Sequence, residues 1–279
     1  MPQERPFAQV DVFASTPYGG NPVAVVLDGD GLGEADMQRF ARWTNLSETT
    51  FVLPPTTPDA DYRLRIFTPG GELPFAGHPT LGSAHAWLER GGRPATEGVV
   101  VQECGAGLVP LRRDGEALAF RAPPLVRTGP LEDALVARLV RALGIAADDV
   151  VDHQWVDNGP GWAALRLRSA ADVLAVDLDD AQAADLMVGL VGAHPEGSEH
   201  AIEVRGFCPR IGVHEDPVTG SLNAGLAQWL TGAGVLPPDY TATQGTALGR
   251  SGVVRVTTVD GDIWVGGTST TCIRGTVAL

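Results

Sequence analysis

Gly77-His78-Pro79-Thr80-Leu81-Gly82-Ser83-Ala84-His85-Ala86 and Glu215-Asp216-Pro217-Val218-Thr219-Gly220-Ser221-Leu222-Asn223-Ala224 are two versions of one segment, separated by about half the chain. Both read His/Asp-Pro-x-x-Gly-Ser-x-x-Ala. Each follows a strand-like run ending Arg-x-Phe-x-Pro, Arg65 to Pro69 in the first copy and Arg205 to Pro209 in the second. A repeat of this length and spacing predicts two similar lobes.

Proline is favoured at the first helical position, where its missing N–H has no partner to lose, so Pro79 and Pro217 predict helix starts. His78 and Asp216 then fall at or near the N-caps, a position that suits Asp216 in any case. The residues that follow are small: Gly82, Ser83, Ala84 and Ala86 in one copy, Gly220, Ser221, Ala224 and Gly225 in the other. Each interior glycine costs about 1 kcal/mol relative to alanine, so helices of this composition persist only where tertiary packing holds them. Both are expected to be buried with sheet close around them. A helix start offers unpaired N–H groups and roughly half a positive charge, and two such starts aimed at one cleft would make a pocket for a carboxylate.

The remaining composition sets limits. At 279 residues with 44% hydrophobic and 19% charged residues, the chain can bury a sizeable core and is not mainly disordered. Its formal net charge of −14 comes without a basic stripe, which argues against nucleic acid as a partner. Cys104, Cys208 and Cys272 have no metal-site or redox spacing and no even count, so neither a disulfide framework nor a zinc cage is indicated. His214-Glu215-Asp216 could suggest a metal site, but neighbouring side chains of an extended run cannot all face one ion, and no metal is expected. The polar opening Met1-Pro2-Gln3-Glu4-Arg5-Pro6 lacks the apolar core of a signal peptide, and no later run approaches the ~18 apolar residues of a membrane span; a cytoplasmic protein with no membrane partner is expected.

Taken in order, Phe7 to Ala14 and Val23 to Leu27 read as a hairpin around Tyr18-Gly19-Gly20-Asn21-Pro22, and Glu34 to Trp43 as an amphipathic helix. Strands follow at Thr49 to Leu53 and Tyr62 to Phe67, then a helix near 78–90 and three short strands up to Arg121. Ala122-Pro123-Pro124 breaks the pattern and sets the expected boundary between an N-terminal lobe, 1–124, and a C-terminal lobe, 125–279, with the last strand free to cross back to the first. In the second half Leu131 to Leu143, Ala170 to Val176 and Ala181 to Val191 read as helical, Val150 to Val156, Trp162 to Leu167 and Ala201 to Val204 as strands. A buried helix near 216–230 precedes a closing meander with Asp260-Gly261 as a hairpin turn. Short strands around one small-residue helix in each half predict an α+β fold without a parallel βαβ series, each lobe a strongly curved sheet or β-barrel about its central helix.

Five ordered motifs then carry a family resemblance: Gly20-Asn21-Pro22-x-Ala24-Val25, Asn45-Leu46-Ser47-Glu48-Thr49-Thr50-Phe51, Arg65-x-Phe67-Thr68-Pro69, Gly77-His78-Pro79-Thr80 and Glu215-Asp216-Pro217-Val218-Thr219-Gly220-Ser221. In order and spacing they resemble the phenazine-biosynthesis PhzF isomerase family, from about residue 9 almost to the C-terminus. The resemblance implies the diaminopimelate epimerase fold, two pseudosymmetric lobes with the active site between them, a homodimer, and isomerisation of trans-2,3-dihydro-3-hydroxyanthranilate or a related small carboxylate without metal or organic cofactor. It implies Glu48 as general acid/base, His78, Asp216 and Ser221 as polar side chains of the substrate pocket, and Gly77 and Gly220 as backbone contacts. Asn21 joins the candidate substrate-binding residues, although its local reading is that of a turn residue. Leu222 departs from the family, which has a small alanine there.

Local readings compete with these roles. Glu48 three residues after Asn45 could cap a helix, His78 could be a packed histidine, and Ser221 could bond back to its own helix. Trp43, Trp87, Trp162 and Trp229 read as packing. Thiol-using epimerases and racemases of the same fold carry cysteines where this chain has His78 and Asp216, which disfavours a two-thiol mechanism. The leading expectation is an isomerase moving a proton between carbons of a small carboxylate; the alternatives are an epimerase or racemase of an amino-acid derivative, and a binding protein that kept the cleft and lost the reaction.

Overall fold

The structure, a computed structural model, describes residues 3–279. The chain divides into two compact units, one running up to Arg121 and including Gly266–Leu279, the other Ala122–Val265.

The first unit opens with an antiparallel pair, β1 (Glu4–Val12) and β2 (Asn21–Val26), in register from Phe7 opposite Val26 to Val12 opposite Asn21. Helix α1 (Glu34–Thr44) carries the chain to β3 (Glu48–Leu53), which lies parallel to β2. Strand β4 (Tyr62–Phe67) returns antiparallel to β3, and β5 (Glu72–Leu73) folds back onto β4. Helix α2 (Gly77–Glu89) crosses to β6 (Val99–Cys104), parallel to β4, and β7 (Gly107–Asp114) and β8 (Ala117–Arg121) continue as a meander.

The second unit repeats this order after an extra helix, α3 (Asp133–Ala142). Strands β9 (Val150–Trp155) and β10 (Trp162–Leu167) pair antiparallel, and the short α4 (Ala170–Ala175) leads to β11 (Met187–Ala193), parallel to β10. Strand β12 (Ile202–Cys208) runs antiparallel to β11, and β13 (Val213–Asp216) folds back on β12. Helix α5 (Gly220–Gly232) crosses to β14 (Tyr240–Gln244), parallel to β12; β15 (Gly252–Val259) pairs with β14, and β16 (Asp262–Gly267) follows. The closing strand β17 (Ser269–Ala278) pairs along the whole of β1 within the first unit. Each unit thus holds two isolated parallel pairings bridged by a helix within an otherwise antiparallel sheet, and no parallel βαβ series.

Helix α2 is the axis of the first unit. It packs against β1, β2, β3, β4, β6, β8 and β17, and nine of its thirteen residues are buried. The close approach depends on Gly82, where a Cβ would stand 2.4 Å from Val23 Cγ1 and 2.8 Å from Val12 Cγ2. Helix α5 is equally buried, and Gly225 takes the same part there, its missing Cβ leaving room for the Val156 carbonyl. The outer helices obey ordinary amphipathic logic: α1 buries Met37, Phe40 and Ala41 against Val26, Phe51 and Phe67, while α3 buries Leu139 and Ala142 in a cluster with Trp155, Leu165 and Phe207.

Three local expectations need correction. First, α2 starts at Gly77 with Ala76 as N-cap, so Pro79 is the third helical residue; the ladder begins only with Thr80 N–H to Ala76 O at 3.2 Å, and proline ahead of it forfeits no bond. Second, α5 starts at Gly220 with Thr219 as N-cap, because Asp216 still pairs with Gly206 and prolongs β13, leaving Pro217 in the connecting turn. Neither His78 nor Asp216 is an N-cap. Third, the helical reading of 181–191 gives way to β11, since a short continuous apolar run fits a strand buried on both faces as well as a helix. Residues 240–244, to which the sequence assigns no element, form β14.

Candidate active site

In the first unit the hairpin, β3 and the start of α2 bring Asn21, Glu48, Gly77 and His78 together. Glu48 is the first residue of β3, opposite Val23 of β2, and His78 is the second residue of α2. His78 Nε2 lies 3.1 Å from Glu48 Oε2, and the two side chains are only 7% and 14% exposed. The imidazole approaches at hydrogen-bond distance without hydrogen-bond alignment. On its other side Nδ1 is 3.3 Å from Nδ2 of Asn21, which is fully buried and belongs to β2 as well as to the preceding turn.

Burial pushes the His78 imidazole down from 6.5 to about 3, against a smaller opposite pull from a hydrogen bond to the Pro22 backbone. The ring is therefore neutral near pH 7 and carries one N–H. Across the Glu48–His78 contact, either Nε2–H faces a carboxylate or a carboxyl O–H faces the bare nitrogen. The second arrangement puts the ring hydrogen on Nδ1, opposite the Asn21 amide N–H, so it also requires that amide to turn and present its oxygen. Gly77 and His78 also precede the first intrahelical donor, so the helix ladder does not consume their N–H groups.

The second unit gathers Asp216, Gly220 and Ser221 around the start of α5. Asp216 Oδ2 accepts a 2.6 Å hydrogen bond from the Thr219 hydroxyl. Gln244 of β14, fully buried, donates from Nε2 to Thr219 Oγ1 (2.9 Å) and to the Asp216 carbonyl (3.1 Å), while its Oε1 accepts from Thr219 N–H (3.0 Å) and Asn223 Nδ2 (2.8 Å). Ser221 Oγ accepts from the indole N–H of buried Trp162 at 3.0 Å, which leaves the hydroxyl hydrogen to be donated elsewhere. The equivalent serine of the repeat, Ser83, is fully buried and paired to Thr50 at 2.8 Å, so only Ser221 is partly exposed.

Thr219, Gln244 and Trp162 are thus polar participants that local sequence reading passed over. Trp162 is more than packing, and Gln244 lies on the strand that went unrecognised; the alternation Tyr240, Ala242, Gln244 inside against Thr241 and Thr243 was the available signal. Of the three consecutive residues that suggested a metal, His214 faces Asp180 (2.8 Å), Glu215 is forked onto Arg205 (2.7 and 3.0 Å) and Asp216 takes Thr219. Each side chain has its own partner.

The model of the phenazine biosynthesis-like protein family, PhzC-PhzF, matches residues 10–275. The chain is 39% identical to antisense-enhancing sequence 1 of Schizosaccharomyces pombe over 98% of both chains. It is 37% identical to the trans-2,3-dihydro-3-hydroxyanthranilate isomerase of Pseudomonas aeruginosa, covering 88% of this chain and 87% of that one. A solved PhzF-family structure from Enterococcus faecalis superposes with a TM-score of 0.83 at 25% identity, over 99% of this chain and all of the other. With the family model spanning nearly the whole chain and both repeats, this protein belongs to the phenazine biosynthesis-like PhzC-PhzF family.

Proposed function

We propose that this family member is an isomerase that moves a proton between two carbons of a small carboxylate substrate, with Glu48 as the general acid/base. The observation that supports this most is the Glu48–His78 pair: a carboxyl group largely withdrawn from solvent, 3.1 Å from an imidazole that burial keeps neutral. Low polarity around a carboxyl group favours proton exchange near neutral pH. Glu48 as carboxylate takes a proton from a substrate C–H, the electron pair delocalises into the adjacent unsaturated system, and the same carboxyl returns the proton to a different carbon. His78 follows the proton by presenting N–H or lone pair to Oε2. Asp216 and the Ser221 hydroxyl bind polar substituents, and the N–H groups at Gly77 and Gly220 meet the substrate's negative charge. No metal or organic cofactor takes part.

Trans-2,3-dihydro-3-hydroxyanthranilate, the substrate named for the Pseudomonas aeruginosa relative, is the first compound to test. In deuterated water the expected product carries deuterium at carbon to the extent that the Glu48 carboxyl exchanges with solvent before it returns the proton. Glu48→Gln is expected to keep the fold and to lower turnover by about 10²–10⁴-fold, the range for losing a general acid/base. Turnover by Glu48→Gln at the wild-type rate would remove the assigned role, and a product epimeric to its substrate would move the reading to an epimerase.

A further inference from the structure

Thr219 is the N-cap of α5, yet its hydroxyl makes no capping bond. An N-cap threonine ordinarily accepts from an N–H of the first helical turn, worth about 1 kcal/mol. Here the hydroxyl is directed elsewhere, and the surrounding hydrogen bonds say which way its single hydrogen points. Gln244 spans two backbone groups of opposite kind, the Asp216 carbonyl, which can only accept, and the Thr219 N–H, which can only donate. Those two contacts fix the amide with Nε2 toward Asp216 and Oε1 toward Thr219 N–H. Nε2 then donates to Thr219 Oγ1 at 2.9 Å, and the threonine hydrogen goes to Asp216 Oδ2 at 2.6 Å.

We propose that Thr219, set by Gln244, is a positioning residue for Asp216: the relay holds Oδ2 as a permanent hydrogen-bond acceptor and fixes the carboxyl rotamer, so any proton Asp216 carries resides on Oδ1. This rests on the role given to Asp216 above. The site is built for the hydroxyl. Gly206 on β12 faces it, and a Cβ there would come within 2.8 Å of Thr219 Oγ1. Asn223 Nδ2 braces Gln244 from α5 and also bonds the Thr219 carbonyl at 2.9 Å. The flanking charges of β13 and β12 are engaged with one another, Glu215 with Arg205, so they do not compete for the threonine. The first unit carries a related pair, Gln102 Nε2 to Thr80 Oγ1 at 3.0 Å, but there Gln102 Oε1 accepts from Tyr62.

The test uses the full chain with Thr219→Val, which is nearly isosteric, Thr219→Ala, which adds no atoms, and Thr219→Ser, which keeps the hydroxyl. The first readout needs no substrate: carbon-13 NMR of the Asp216 carboxyl, assigned with Asp216→Asn, followed against pH. Removing a hydrogen bond to the charged form favours the protonated one, so the midpoint is expected to move up by about one pH unit in the Val and Ala variants and to return in the Ser variant. Coincident midpoints in wild type and whichever of the two folds would overturn the relay. The second readout is turnover of trans-2,3-dihydro-3-hydroxyanthranilate, where loss of roughly tenfold or more with rescue by Thr219→Ser supports the positioning role, and wild-type turnover in folded Thr219→Val or Thr219→Ala refutes it. An inactive wild type would count against the proposed reaction alone, because the carboxyl titration decides the relay separately.

Discussion

At the scale of single residues, His78 is buried as its local reading of a packed histidine expects, and it is neutral and within reach of a carboxyl group. Its consequence for stability has a definite sign. The folded-state value is depressed to about 3 from 6.5, so between those limits the unfolded chain binds the proton that the folded chain refuses. The stabilisation is complete above pH 6.5 and is lost as pH falls through the window, at most about 1.4 kcal/mol per pH unit from this one group. Urea denaturation of wild type and His78→Gln between pH 7 and pH 4 checks it: the variant's stability should fall less steeply by about that slope, and parallel curves would mean that the ring is already charged in the folded protein. His78 and Glu48 were both legible as candidate residues through ordered motifs. Their direct contact was not, because residues 48 and 78 meet only when β3 and α2 pack side by side.

Elements show how one departure from the family pattern is absorbed. Leu222 stands where a small residue is usual, and the buried helix α5 nonetheless accepts it. The reason lies on two neighbouring strands, where Gly189 of β11 and Gly206 of β12 are cross-strand partners. A Cβ on Gly189 would sit 2.4 Å from Leu222 Cδ1, and one on Gly206 3.3 Å from Leu222 Cδ2. The leucine fills the space those glycines leave. Gly189→Ala should therefore overpack the site and cost about 1–3 kcal/mol, and Leu222→Ala should open a cavity costing about 2–5 kcal/mol. Because the two changes are complementary, the double variant should be more stable than their sum by about 1 kcal/mol or more. Additive losses in chemical denaturation would show that the side chain and the glycines are not coupled. Gly189 also helps explain why residues 181–191 read as helix. It deprives the run of β-branched bulk, and the reason for its presence, a leucine pressed against it, is tertiary.

For the molecule as a whole, the duplication runs deeper than the two helix-start segments through which it was first visible. Both repeats carry the same polar fork on the strand before the buried helix. Arg65 is bonded to Glu72 at 2.7 and 2.5 Å and lies 5.0 Å from the Phe67 ring centroid; Arg205 is bonded to Glu215 at 3.0 and 2.7 Å and lies 4.7 Å from that of Phe207. The Arg-x-Phe half of this device was legible in the sequence. Its glutamate was not, since Glu72 and Glu215 lie at different distances along the chain from their arginines, and β5 and β13 differ in length. The two forks also differ in burial, with side-chain exposures of 17% and 35% in the first unit and 6% and 2% in the second. Burial decides their energetic weight. Removing one member of a buried pair strands the other charge in low dielectric, whereas water screens what remains of a half-exposed one. Glu215→Gln is expected to cost about 3–5 kcal/mol, because the buried Arg205 charge is left with neutral acceptors, the Val173 and Val176 carbonyls and one amide oxygen, and no carboxylate. Glu72→Gln is expected to cost no more than about 1 kcal/mol, with Glu34 still 3.0 Å from Arg65. Equal losses for the two variants in urea denaturation at pH 7 would mean that burial does not set the contribution of this pair, and that both repeats draw the same stability from it.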